Sequence, residues 1–192
     1  LQNDIDRQAK TLTGADLVIE SNKPVPEELQ PVLGRLGDER SQERSFASMV
    51  YFLKGGGTRL VQVRALDGHY PFYGELETTP VAAAGRFRNG REALVDKTLM
   101  LQFDAQIGDS IQLGDVTFAI AGVLNKAPGR NTISTTVAPP VYIPLQYLDA
   151  TGLVQKGSRI AYNYYYKFND EEAIQNVIDT LEPKLEEAGM DY

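Results

Sequence analysis

Val61–Leu76, read VQVRALDGHYPFYGEL, is the segment that most narrows the possible folds. It opens as a strand and breaks at Asp67-Gly68, a pair suited to turns. It then passes through His69-Tyr70-Pro71-Phe72-Tyr73-Gly74. A plain strand exit needs neither three aromatics nor two glycines around one proline. This turn therefore reads as a signature of a particular architecture.

The strand has a partner upstream. Ser45–Leu53 and Arg59–Leu66 flank Lys54-Gly55-Gly56-Gly57-Thr58, which predicts a β-hairpin. The glycines invite a phosphate-loop reading. It is rejected, because the GK[ST] ending is missing and a strand follows where a helix is required.

The remaining elements follow from spacing. Ile5, Ala9 and Leu12 sit at helical intervals, with Gly14 as the stop. Asp16–Glu20 reads as a strand. Leu29, Val32, Leu33 and Leu36 make a helical stripe after Pro26, with Pro31 as a flaw in it. Beyond Leu76 the chain turns rich in Pro, Ala and Gly over Thr78–Gly90. Ala93-Leu94-Val95 is a short strand, and Asp96 can cap a helix over Lys97–Phe103. Gly108–Leu124 alternates as a hairpin about Gly114-Asp115. Asn125–Pro140 is a loop, Val141–Ile143 a strand and Pro144–Ala150 a short helix. Ser158–Phe168 is a strand with Tyr162, Tyr164 and Tyr166 on one face and Ala161, Asn163 and Tyr165 on the other. Ile174, Val177, Ile178, Leu181, Leu185 and Ala188 mark a last helix, capped by Asn169 and kinked by Pro183.

A chain of 192 residues can hold one domain or two small ones and bury a core without staples. Its charge, 19 basic against 26 acidic residues, is −7, which makes a nucleic-acid partner improbable. With no cysteine there can be no disulfide, thiolate metal site or Cys nucleophile. No apolar run approaches the roughly 18 residues that span a bilayer. No signal peptide is visible. The chain starts at Leu1 and is read as a piece cut from a longer protein.

Taken in order, Phe46-Ala47-Ser48-Met49, Val61–Leu76, Ala93-Leu94-Val95-Asp96, Gly108-Asp109 with Leu113-Gly114-Asp115, and Thr151–Arg159 (TGLVQKGSR) resemble a known family. It is the periplasmic, MacB-like core domain of bacterial FtsX-like ABC transporter permeases. The likeness is strongest to the first such domain of YbbP-type permeases, and it runs from about Ala15 to Phe168. The resemblance implies an α+β fold. A porter-like split βαβ-βαβ sheet, with helices on one face, is interrupted by a small α/β, Sabre-like insert. The division expected is 1–76 and 158–192 for the porter-like part and 77–157 for the insert.

The resemblance also implies a role. The domain sits on the periplasmic side of the inner membrane, between membrane helices that this chain lacks. A separate cytoplasmic ABC ATPase hydrolyses ATP, and the domain passes the motion outward to a periplasmic partner or lipophilic cargo. A periplasmic esterase or lysophospholipase is a possible partner. No cofactor is expected, and no catalytic or metal-binding residue carries over.

The residues give little support to an enzyme. His69, the single histidine, lies in a turn, and no G-x-S-x-G elbow accompanies it. Asp67, Asp96, Asp109 and Asp115 fit turn and cap roles. The candidate partner or ligand contacts are Tyr73, Arg130 in the long 125–140 loop, and the Tyr162/Tyr164/Tyr166 face. The Phe46/Met49/Tyr51/Phe52 segment shares the ambiguity of that face, between half-buried strand and interface. The alternative function is a hydrophobic-ligand or lipid-binding module, with an apolar groove between the two parts.

Overall fold

The structure is a computed structural model that describes residues 10, 12–128 and 137–192. Among these, nine strands form one sheet, eight in the order β1-β9-β2-β3-β8-β5-β7-β4 and the ninth, β6, off that path between β2 and β7. The strands are β1 (Leu17–Ser21), β2 (Glu39–Phe52), β3 (Thr58–Leu66), β4 (Glu77–Thr79), β5 (Glu92–Asp96), β6 (Ser110–Leu113), β7 (Val116–Lys126), β8 (Pro140–Pro144) and β9 (Ala161–Lys167). The helices are α1 (Gln30–Leu33), α2 (Ala83–Arg86), α3 (Lys97–Gln102), α4 (Leu148–Thr151) and α5 (Glu171–Glu187).

β2 organises the molecule because it is long enough to serve two partners. Its first half, Glu39–Ser45, runs antiparallel to β9, which in turn pairs with β1. From Glu43 to Tyr51 it pairs with β3 in the expected hairpin. Gly55 and Gly56, with φ of +85° and +73°, turn that hairpin. The far end, Tyr51-Phe52, pairs with β6. β6 joins β7, β7 joins β5, β5 joins β8, and β8 lies parallel to β3. Six strands thus close on themselves through β2 and β3. Residues 77–157, where an insert was expected, contribute β4 to β8 to the same sheet as the β2–β3 hairpin.

Alternation decides what fills that closure. Phe46, Val50, Phe52, Val61, Val63, Ala65, Val95, Ile111, Phe118, Ile120, Val141 and Ile143 point into one core. Their out-of-phase neighbours Met49 and Tyr51 are exposed, with Leu60 opposite Met49. A second core, on the opposite face of the sheet, gathers Leu66, Tyr70, Leu76, Phe87, Leu94, Tyr142 and Tyr165. The third lies under α5, where Leu181 and Leu185 cover Leu17, Ile19 and Tyr166.

Several local expectations need correction. α5 is capped by Asp170, which accepts from Glu172 N at 3.0 Å, and not by Asn169; the helix continues through Pro183 to Glu187. The Leu29–Leu36 stripe is helical only over Gln30–Leu33, because Pro31 has no N–H to give and sits at the start of what forms. β2 begins at Glu39 and not Ser45, and β9 is Ala161–Lys167 rather than 158–168. β4 and α2 arise in the stretch where no element was expected. Asp96 does cap α3, accepting from Thr98 N at 2.9 Å. Gly14, at φ +74°, ends the helical turn at Lys10 and Leu12; Ile5 and Ala9 lie outside the described residues.

Candidate functional site

Pairing register places the tyrosine face with residues that alternation of apolar residues could not flag. Tyr166, Tyr164 and Tyr162 stand opposite Arg40, Gln42 and Arg44 of β2 on the same face of the sheet. With Pro24, Val25, Gln30, Leu33, Gly34 and Asp67 they line a groove of about 520 Å³ between the sheet and α1.

The three tyrosines differ along this groove. Tyr166 is 1% exposed and donates its hydroxyl to Leu33 O at 3.0 Å, so it serves the core beneath α5. Tyr164 is half-buried; burial pushes its hydroxyl above the ordinary tyrosine range, against the pull of nearby Arg44. Tyr162 is half-buried beneath the Arg44 guanidinium, 5.5 Å from ring centre to Cζ. Arg44 Nε is buried and makes no hydrogen bond, and none of the described ion pairs uses this side chain. Arg40 donates its Nε to Leu36 O at 3.2 Å. Asp67 is held by the backbone, accepting from Gln42 N at 2.6 Å.

On the opposite face lies the turn that opened the sequence. Tyr70 is buried and stacks on Tyr165, centroids 3.6 Å apart and planes at 18°. Its hydroxyl donates to Thr13 O at 2.7 Å. Below Tyr165, Glu43 and Arg64 form a buried ion pair, joined by Tyr165 Oη at 3.3 Å and Asn163 Nδ2 at 3.2 Å from Glu43 Oε2. Burial opposes the Arg64 charge, and the Glu43 carboxylate outweighs it, holding the guanidinium above its ordinary range. Arg88, from the insert, donates to Gly68 O at 2.8 Å, Tyr70 O at 2.7 Å and Ala84 O at 3.0 Å. Tyr70, with Phe72 against it, shares one core with Tyr165 on one side and with Phe87, Leu94 and Tyr142 of the 77–157 stretch on the other, and Arg88 adds a polar link between them.

Tyr73 is half-buried at the point where the chain enters β1. Its hydroxyl donates to Asp16 Oδ2 at 2.8 Å, and Lys10 Nζ lies 5.3 Å from its ring centre. Lys10 also pairs with Asp16 and Glu171, both at 3.2 Å. The far end of the chain returns to the same strand, where Asp191 bridges Glu20. Arg130 lies outside the described residues.

His69 is exposed beside a second cleft of about 690 Å³, between the 66–76 turn and the insert residues Ala84, Arg88, Asn89 and Gln146. This is where a groove between the two parts was expected, and its lining is as polar as it is apolar. Among the described residues no group of His, Asp and Glu is placed to hold a metal ion. Asp109, like Asp67 and Asp96, serves the backbone, accepting from Gln106 N at 2.8 Å. Nor, among the described residues, is any helix long and apolar enough to cross a membrane.

This fold is similar to that of MacB-type periplasmic domains. The periplasmic region of MacB from Actinobacillus actinomycetemcomitans superposes with a TM-score of 0.53 at 11% identity, over 96% of this chain and 89% of that one. A domain of a protein described as a permease from Porphyromonas gingivalis superposes at 0.54 and 10% identity, over 88% of this chain and 82% of that one. The profile of the MacB-like periplasmic core domain family matches residues 2–184, and the chain belongs to that family. It is also 28% identical, over 172 residues, to YbbP of Escherichia coli (strain K12), an uncharacterized ABC transporter permease. The match covers 90% of this chain and 21% of that relative, so the chain spans about a fifth of the permease it resembles. It is a periplasmic domain of the kind that ABC transporter permeases carry.

Proposed function

We propose that this domain transmits motion. Membrane helices flanking it would be driven by a separate cytoplasmic ABC ATPase, and the domain would deliver their displacement to a periplasmic partner or a lipophilic cargo. The domain itself carries out no reaction in this reading. A periplasmic esterase or lysophospholipase is one partner it would suit.

The observation that carries the proposal is the attachment of both chain ends to one edge strand. Asp16 N donates to Tyr166 O at the start of β1, and Asp191 bridges Glu20 four residues along. At ~3.3 Å per strand residue, the two attachments lie about 13 Å apart. A displacement of either flanking segment would therefore load the same edge of the sheet. β2 would carry it across, because its hydrogen bonds run from β9 at that edge to β6 in the closed part. The division into 1–76 with 158–192, and 77–157, belongs to this proposal as the input and output parts of the lever.

The test is crosslinking in cells, in the full-length permease, with photo-reactive residues at Tyr73, Arg130 and Tyr164. Crosslink partners that change when the ATPase is inactivated are expected. An identical pattern with active and inactive ATPase would overturn the proposal.

A further inference from the structure

We propose that the groove between β2, β9 and α1 binds an anionic amphiphile, a molecule with an oxyanion head on a hydrocarbon chain. The inference goes beyond the mechanical reading and does not depend on it.

In a chain of net charge −7, this groove presents two cations, Arg40 and Arg44, against one carboxylate, Asp67. That carboxylate is already engaged by the Gln42 amide. Arg44 Nε is buried without a protein acceptor, and no described hydrogen bond or ion pair uses the rest of its guanidinium, so the acceptor for this charge is left to a ligand. The planar guanidinium recognises carboxylate and phosphate with paired hydrogen bonds.

The rest of the lining suits a chain. Pro24, Val25, Leu33 and the half-buried Tyr164 give the groove its apolar lining. The volume, about 520 Å³, falls within the range of small-molecule sites, and polar and apolar groups share the lining about equally, as an amphiphile requires. The head would bind at Arg44, with Gln42 the next residue on that face, and the chain would lie against Val25 and Leu33.

The test uses the 192-residue chain and four probes below their micelle concentrations: decanoate, decyl phosphate, decanol and acetate. Decanoate or decyl phosphate should raise Tm by about 5 °C near a hundredfold excess over Kd, and the stronger of the two names the head group. Decanol and acetate should not. Arg44→Gln, with an unchanged Tm in the absence of ligand, should weaken binding about tenfold or more. Should that variant not fold, amide shifts of the unaltered chain decide the matter; Gln42, Arg44, Tyr162 and Tyr164 should move. No response to either anion, an equal response to decanol, or shifts confined to the cleft at His69 and Gln146 would overturn the inference. The measurement needs no ATPase, so its failure leaves the crosslinking outcome untouched.

Discussion

Arg64 and Glu43 meet diagonally across β2 and β3, with Arg64 Nε donating to Glu43 Oε1 at 3.1 Å, and their side chains are 1% and 0% exposed. Leu66 stands opposite Glu43 and Ser45 opposite Arg64, so only long side chains could close the gap. Tyr142 lies over the guanidinium at 5.1 Å, and Tyr165 and Asn163 complete the carboxylate's partners. The pair therefore sits at the junction of β9, β2, β3 and β8.

Glu43→Gln keeps the shape and leaves the Arg64 charge without its counter-ion. Breaking a buried pair from one side costs about 3–5 kcal/mol. Urea unfolding should show that loss, whereas Glu43→Met with Arg64→Leu should cost less than the single change. Equal losses would mean that the charge itself is not what matters at this junction.

Stability should fall in alkali. Burial raises the hydroxyls of Tyr70, Tyr142, Tyr165 and Tyr166 above the ordinary value. The unfolded chain releases these protons near pH ~10, while the folded protein holds them. Their stabilisation is complete below that pH and is lost as pH rises beyond it. Phenolate absorbance and far-UV circular dichroism should therefore show these four ionising together with unfolding. Smooth titration of all ten tyrosines before any loss of structure would contradict this.

The two outer positions of the glycine run in the β2–β3 hairpin have different duties. A Cβ on Gly57 would meet the Phe103 ring, which stacks on Phe52 with centroids 4.4 Å apart. Gly57→Ala should cost about 1–3 kcal/mol by overpacking. Gly55 has open space around it but a φ of +85°, so Gly55→Ala should cost about 1–2 kcal/mol through the backbone alone. Chemical shifts of Phe103 should move in the first variant and not in the second.

Arg88 holds the 68–70 turn by two carbonyls, Gly68 O and Tyr70 O, while its Nε donates to Ala84 O of its own segment. Arg88→Met keeps the packing and removes the donors, at about 1–3 kcal/mol for the acceptors left unmet. Hydrogen exchange should accelerate at Gly68–Phe72 and leave α5 unchanged. Uniform acceleration would show a global effect instead.

The hairpins, the Asp96 cap, the tyrosine alternation and the last helix were legible in the chain, since each is written in a local period or a turn residue. The first half of β2 was not. Glu39-Arg40-Ser41-Gln42-Glu43-Arg44 has no apolar alternation, and it becomes a strand because β9 and β3 supply its hydrogen bonds. Arg40, Gln42 and Arg44, which give the groove its polar wall, were missed for the same reason.

The sequence by itself determined the family signature, the elements with apolar periodicity and a turn at Asp67-Gly68 rich in aromatics. Tertiary structure alone decided that Tyr166 is core while Tyr162 and Tyr164 face a groove, because one strand face runs beneath α5 and then out from under it. It also decided that Glu43 and Arg64 are partners. Charges 21 residues apart carry no local sign of meeting, and only the register of β2 against β3 brings them together.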